Sequence, residues 1–266
     1  MISKSKLRDI ASYKLQKNCD AERVYVVEGP KMCGEAWREK KSIRTVVALP
    51  EWLEEVQNEW GFEWGRLRGA ANESGMVRWH GMDIYEAAAE ELERISGMKT
   101  PNKVWMLVER ESESQQPVLG EGPVLVLDRI QDPGNLGAIL RTADWFGIRQ
   151  VVCSRDSASC YNPKVVQASM GGVFRTHICY TDLVPLLKEA AERSLPVYGA
   201  MLNGESLFST ILERNGLLVI GNESRGISSE VASLVTKRVT IPNLGGTCES
   251  LNAAVATALF CAEWVR

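Results

Sequence analysis

The chain has 266 residues, with 31 Lys+Arg against 34 Asp+Glu, a formal net charge of −3; 45% of it is hydrophobic and 24% charged. That composition excludes a disordered or membrane-embedded protein, and the length allows one large domain or two small ones. So small a net charge also excludes holding nucleic acid by bulk attraction alone. The charge is uneven, with a net of +5 over residues 1–50, −5 over residues 51–110 and −3 over the remainder.

The opening MISKSKLRDI lacks an apolar core of the kind that directs export, and no apolar run reaches the ~18 residues a membrane helix needs. Seven scattered cysteines without a CxxC pair predict reduced, mostly buried thiols, and the location they predict is cytoplasmic. The two histidines, His80 and His177, lie far apart, so neither a histidine-built metal site nor a Ser-His-Asp triad is expected.

Short β-branched runs at Val24–Val27, Thr45–Ala48 and Val104–Val108 predict strands, and helices are expected over 30–41, 50–60 and 83–95. This is a small α/β unit. Lys4, Lys6, Arg8, Lys14, Lys17 and Arg23, interleaved with Tyr13 and Tyr25, make its start basic, which is either a solvated face or a phosphate contact. The polar stretch from Arg110 to Pro117, followed by Gly120 and Gly122, has no periodicity and reads as a linker. The expected division is 1–110, a linker over 111–121, and 122–266.

Beyond the linker the pattern becomes strand, loop and helix in alternation. Apolar strands are predicted at 124–127, 151–153, 197–201, 217–220 and 238–241, with helices at about 135–146, 163–171, 182–194, 228–235 and 250–265. Such alternation predicts a parallel sheet covered on both faces, with its site at the carboxyl ends of the strands. Neither GxGxxG after a strand nor GxxxxGK[ST] occurs, so ordinary dinucleotide and P-loop sites are excluded.

Three strand ends are rich in polar residues. In the segment 128–147, Leu136, Ile139, Leu140, Ala143 and Phe146 form a core face, and Arg141 lies about 160° from its centre with Trp145 one turn on. Arg141 is either solvated or held at a second buried face, a subunit interface near a site. Asn135 at the helix start is either a cap or a site residue. The segment 217–227 runs from a strand into Gly221, Asn222, Glu223 and Gly226, a tight loop facing a ligand. The third, from Val239 past Ile241, Gly245 and Gly246 to Ser250 and Asn252, opens a helix rich in alanine, with Glu263 its one charged residue before Arg266. A helix apolar all round predicts burial all round, most simply by a second subunit.

These three segments, DPGNLGAILRTADWFGI (132–148), LVIGNESRGIS (218–228) and IPNLGGTCESLNAAVATAL (241–259), resemble the three signature motifs of the SpoU branch of the SPOUT RNA methyltransferases. The amino-terminal stretches KLRDIASYKLQKNCDAERVYVVEGPKMCGEAW and ISGMKTPNKVWMLVER are similar to that family's substrate-binding domain. The resemblance implies an α/β fold with a carboxyl-terminal trefoil knot, and a homodimer formed through the carboxyl-terminal domain. It implies S-adenosylmethionine as cofactor, contacted at Ala200, Met201, Gly221, Asn222, Ile241 and Leu251. It implies transfer of a methyl group to a ribose 2′-hydroxyl of structured RNA, ribosomal or transfer RNA, with Asn135, Arg141, Glu223, Ser250 and Asn252 on the characteristic polar positions. The alternatives are a knotted RNA-binding protein without activity and a transferase acting on a small molecule. One departure is an extra residue within Gly245–Cys248 relative to many members.

Overall fold

The computed structural model describes residues 2–73, 75–111 and 116–266. The chain divides into two compact units, Met1–Glu111 and Ser112–Arg266. Of the expected linker, residues 112–115 lie outside the described residues.

The first unit runs α1 (Lys4–Ala11), α2 (Gln16–Ala21), β1 (Val24–Glu28), α3 (Pro30–Arg38), β2 (Ile43–Ala48), α4 (Pro50–Trp60), α5 (Trp64–Arg68), β3 (Met76–Trp79), β4 (Met82–Glu86), α6 (Ala89–Ile95) and β5 (Val104–Glu109). The strands pair in the order β1–β5–β2–β4–β3, antiparallel except for β2–β4. Leu7 and Ile10 of α1 and Leu92 and Ile95 of α6 pack with Val24, Val26, Tyr85 and Trp105 of the sheet. A separate aromatic group stacks Trp37 on Trp60 with ring centroids 4.3 Å apart, and sets Trp52 edge-on to Trp60. The helix expected over 83–95 is confined to α6. Residues 83–86 belong to β4, which the two-residue turn His80–Gly81 folds back on β3 with both residues at positive φ, 46° and 86°.

The second unit runs β6 (Val124–Leu127), α7 (Pro133–Trp145), β7 (Gln150–Ser154), α8 (Pro163–Ser169), α9 (Gly172–Arg175), β8 (His177–Thr181), α10 (Leu183–Glu192), β9 (Val197–Ser206), β10 (Leu217–Ile220), α11 (Ser229–Ala232), β11 (Lys237–Thr240) and α12 (Ala253–Val265). Its six strands are all parallel, in the order β11–β9–β10–β6–β7–β8. Alternate residues face opposite layers, as the two-residue strand period requires. Leu125, Leu127, Leu218 and Ile220 meet the layer containing Leu136, Ile139 and Leu140 of α7, Val165 of α8 and Phe260 of α12. Val124, Val126, Leu217 and Val219 meet Leu183, Leu186 and Leu187 of α10 and Val231 of α11. The doubly covered parallel sheet expected from the sequence is therefore present. Strand β8 was not among the expected elements, because His177, Thr181 and the polar residues around them dilute its apolar pattern.

Two glycines mark places where backbone lies close against backbone. A Cβ on Gly221, just past β10, would lie 2.3 Å from the carbonyl carbon of Gly226 and from the nitrogen of Ile227. A Cβ on Gly204, in β9, would lie 2.5 Å from the carbonyl of Arg238. The β9–β11 pairing is irregular here: it passes from Arg238 with Gly199 to Val239 with Glu205, so residues 200–204 bow out of the ladder while Leu202 and Gly204 still touch β11.

Helix α12 is apolar on both of its sides. Ala253, Thr257, Phe260, Cys261 and Trp264 are buried, but Val255, Leu259 and Ala262 on its other side are exposed. An apolar helix is here covered on one face only within its own chain.

Close helix packing supplies a stability test. A Cβ on Gly137 of α7 would stand 2.5 Å from Ala168 Cβ and 2.8 Å from the Val165 carbonyl oxygen of α8. Gly137→Ala is expected to cost about 1–3 kcal/mol by overpacking. Gly65→Ala in α5, whose Cβ would meet nothing within 4 Å, should leave stability unchanged or slightly raised. Thermal unfolding of the two variants checks the contrast.

Candidate functional site

The loops that leave the carboxyl ends of β6, β7 and β10 are tied to one another. Asp128, directly after β6, is buried, and its Oδ2 accepts from the Ser228 backbone N–H at 2.6 Å. The Ser154 hydroxyl, closing β7, accepts from the Arg129 N–H at 2.8 Å, and the Asn222 side-chain amide donates to the Arg129 carbonyl at 2.9 Å. Asn222 also shapes its own loop. Its Oδ1 accepts from the Ser224 and Arg225 N–H groups at 3.1 and 3.2 Å, and its backbone forms an antiparallel bridge with Gly226. That turn brings Gly226 against Gly221, which is why no side chain fits there.

Helix α7 starts on this platform. Asp132 caps it by accepting from Asn135 N–H at 2.8 Å, and Pro133 occupies the first turn, where its missing N–H costs nothing. Asn135 is thereby freed from capping, and its side chain reaches outward in two directions. Its Nδ2 donates to Glu223 Oε1 at 2.5 Å, and its Oδ1 accepts from Asn252 Nδ2 at 2.9 Å. Asn252 in turn caps α12, its Oδ1 accepting from the Ala254 and Val255 N–H groups at 2.9 and 3.3 Å. Three residues expected at the site thus form one hydrogen-bonded chain joining all three polar segments.

Arg141 and Ser250 do not join that chain. Arg141, six residues along α7 from Asn135, is exposed and makes no hydrogen bond or ion pair with the described residues. Trp145, one turn on, is 84% exposed. The rest of α7's outer side is taken up within the same chain: Gly137 abuts α8, a Cβ on Gly172 would stand 2.7 Å from the Leu140 carbonyl oxygen, and Asp144 pairs with Arg175 at 2.9 Å. Ser250 is exposed in the loop before α12.

The residues expected to meet a cofactor surround the same strand ends. Ala200 and Met201 open the bowed part of β9, Gly221 and Asn222 follow β10, and Ile241 follows β11. Leu251, just before Asn252, is exposed, as are Leu202 and Leu244. The segment with the extra residue is stitched by Asn243, whose Oδ1 accepts from the Gly245 and Gly246 N–H groups at 3.0 and 2.7 Å while its Nδ2 donates to the Gly246 carbonyl at 3.0 Å. The set is rich in backbone and apolar groups, with a glycine where a Cβ would fill the space. It suits an adenosine-like molecule held by main chain, and a metal ion has no set of ligands here: among the described residues no group of three His, Cys, Asp or Glu could hold one.

Sequence reasoning did not single out Asp128, Ser154 or Asn243. Asp128 had a usable signal, a carboxylate immediately after four apolar strand residues; Ser154 and Asn243 act through local turns that carry none. In the first unit, Lys4, Arg8, Lys14 and Lys17 are exposed and form no ion pair with described residues, whereas Lys6 stands 5.9 Å over the Tyr85 ring. Tyr25 is buried in β1 and so cannot stack on a ligand. The Tyr13 hydroxyl donates to Glu22 at 2.8 Å, and burial, aided by that carboxylate, pushes its pKa up to about 12. A cleft of about 910 Å³ in the same unit is lined by Arg38, Arg44, Arg78 and His80, but these arginines pair with Glu59, Glu22 and Asp83.

Asn252 performs two tasks that substitutions separate. Asn252→Ala removes the helix cap and is expected to cost about 1 kcal/mol. Asn252→Asp keeps the cap's acceptor, and favours the helix dipole, but removes the donor to Asn135. Thermal unfolding should therefore show loss in the alanine variant and recovery in the aspartate variant, while neither recovers the activity assayed below.

Comparison with known proteins agrees with this geometry. Residues 122–262 match the model of the SpoU rRNA Methylase family, and residues 4–105 match that of the MRM3-like substrate binding domain. The chain is 28% identical over 180 residues to the 23S rRNA (guanosine(2553)-2′-O)-methyltransferase RlmP of Bacillus subtilis, covering 67% of this chain and 71% of that one. The structure superimposes on a TrmH-family protein from Porphyromonas gingivalis with a TM-score of 0.84 at 38% identity, covering 99% and 98% of the two chains. It shares its fold with an AdoMet-bound rRNA methyltransferase from Sinorhizobium meliloti, with a TM-score of 0.81 at 24% identity over 99% and 95%. The match spans more than half of the chain and includes all three polar segments, and the chain belongs to the SpoU rRNA methylase family.

Proposed function

We propose that this protein methylates a ribose 2′-hydroxyl of ribosomal RNA, using S-adenosylmethionine, in the cytoplasm. The observation that carries the reading is the Asn135–Glu223–Asn252 chain, which unites the three family segments beside the cradle at Gly221. The Bacillus subtilis relative, named for the 2′-O-methylation of a 23S guanosine, favours ribosomal over transfer RNA.

When bound, S-adenosylmethionine supplies an electrophilic methyl on a sulfonium. The chain's own task is to orient the ribose and ease loss of the hydroxyl proton. Glu223, fixed on one side by Asn135, keeps its other carboxylate oxygen available to a ribose hydroxyl. A guanidinium offers donors and no acceptor, so the role of Arg141 is to hold an RNA phosphate or balance developing alkoxide charge, not to act as a base. Ser250, Asn135 and Asn252 orient these groups. The cations Lys4, Arg8, Lys14 and Lys17, which form no ion pair with described residues, are the better phosphate contacts in the first unit, since the arginines of the cleft are already paired.

The homodimer belongs to the same reading. Val255 and Leu259 on α12 and Trp145 on α7 are large apolar side chains left exposed on two helices that pack together. A second copy covering them would also bring Arg141, one turn from Trp145, to the interface. Val255→Glu with Leu259→Glu should convert the dimer to monomer in sedimentation, because each buries a charge in the proposed contact.

The activity test is transfer of labelled methyl groups to ribosomal RNA, followed by mapping of 2′-O-methyl positions. Arg141→Ala should abolish transfer while cofactor affinity by calorimetry stays within about twofold. Equal loss of both would remove Arg141 from the proposed role, and no transfer by the unaltered chain would overturn the function.

A further inference from the structure

We infer that Arg129 is a further substrate-binding residue, whose guanidinium takes a phosphate of the RNA flanking the ribose being methylated; this rests on the function proposed above. Six described non-glycine residues have positive φ. Arg23, Lys40, Met170 and Ser194 follow helix ends and His80 sits in a hairpin turn, all routine places for the left-handed conformation. Arg129, with φ 58°, instead follows a strand, β6, at the end of the sheet where the site lies.

The surroundings hold it there. Its N–H is bound by Ser154 after β7 and its carbonyl by Asn222 after β10, so both neighbouring loops grip this one backbone unit. Neither grip uses the arginine side chain, and glycine or asparagine would meet the same backbone demand with less strain. The side chain is thus surplus to the turn it occupies.

It is also poorly satisfied. Nε is buried with no hydrogen-bond partner; it pairs by charge with Asp128 Oδ1 at 3.5 Å, while the other Asp128 oxygen accepts from the Ser228 N–H. The guanidinium forms no hydrogen bond with any described residue, although 26% of the side chain is open to solvent. A planar donor fork, largely sheltered and met by protein only through the 3.5 Å ion pair at Nε, has donors to offer a phosphate. Asn222, which fixes the Arg129 carbonyl, directly precedes Glu223 of the hydrogen-bonded chain, so the Arg129 backbone is tied to the loop that carries a residue proposed to orient the ribose.

The experiment uses Arg129→Gly and Arg129→Asn, both suited to positive φ, in the full-length chain. Methyl transfer is measured against RNA concentration, RNA binding by filter retention at several salt concentrations, cofactor affinity by calorimetry, and folding by thermal unfolding. Expected are a rise of about tenfold in KM for RNA, weaker RNA binding with a shallower salt dependence, kcat and cofactor affinity within about twofold, and an unchanged or higher Tm. Arg129→Lys should recover part of the KM. Unchanged KM and RNA binding in the glycine variant would overturn the inference, as would loss of cofactor affinity, which assigns the guanidinium to the cofactor, or a fall in Tm with an equal fall in kcat, which makes it structural. If the unaltered chain binds RNA through Arg129 but transfers no methyl group, the contact stands and the proposed function fails.

Discussion

One side chain fastens the candidate site. Asn135 has a single amide, yet it donates to Glu223 and accepts from Asn252, partners 88 and 117 residues away in sequence. An amide suits this position because it offers a donor and an acceptor at once, whereas a carboxylate or a lysine offers only one kind. Everything else in the second unit serves to bring those partners within reach. Asp132 takes over the capping of α7, Asn252 caps α12, and Gly221 lets the Glu223 loop lie against its own return strand.

The loops are rigid because their polar groups are spent on one another. Asp128, Ser154, Asn222 and Asn243 mostly satisfy backbone amides, which holds the turns in shape, while Ile130 anchors the first loop in the core. The site then presents backbone, glycine and exposed leucines for an adenosine-like molecule, with the polar chain at one side. In the first unit, charge that is paired and charge that forms no ion pair with described residues separate into the arginine cleft and the lysines of α1 and its neighbourhood.

Much of this was legible in the sequence. The strand and helix alternation of the second unit shows in runs such as Val124–Leu127 and Leu217–Ile220, because a sheet buried on both faces needs continuous apolar residues. Asn135, Glu223 and Asn252 were named from motif resemblance, and their contact is a fact of the fold. The sequence reading failed where a local pattern was overridden. Residues 83–86 resemble the start of a helix when joined to the alanines that follow, yet the hairpin at His80–Gly81 makes them a strand. Tyr25 looked available to a ligand among basic residues, but β1 is buried on both of its faces, Tyr25 included.

The amino-acid sequence alone determined most elements of the parallel-sheet unit, strand β8 excepted, the basic start of the chain and the three polar segments, since periodicity, charge and residue type are local properties. The tertiary structure alone decided which polar residues meet, that Arg141 and Ser250 stand apart from that group, that α12 leaves one apolar face open, and that Arg129 is held at positive φ with a buried, unbonded Nε. Those are consequences of long-range contacts, where residues a hundred positions apart come within hydrogen-bonding distance, and no periodicity in the sequence encodes them.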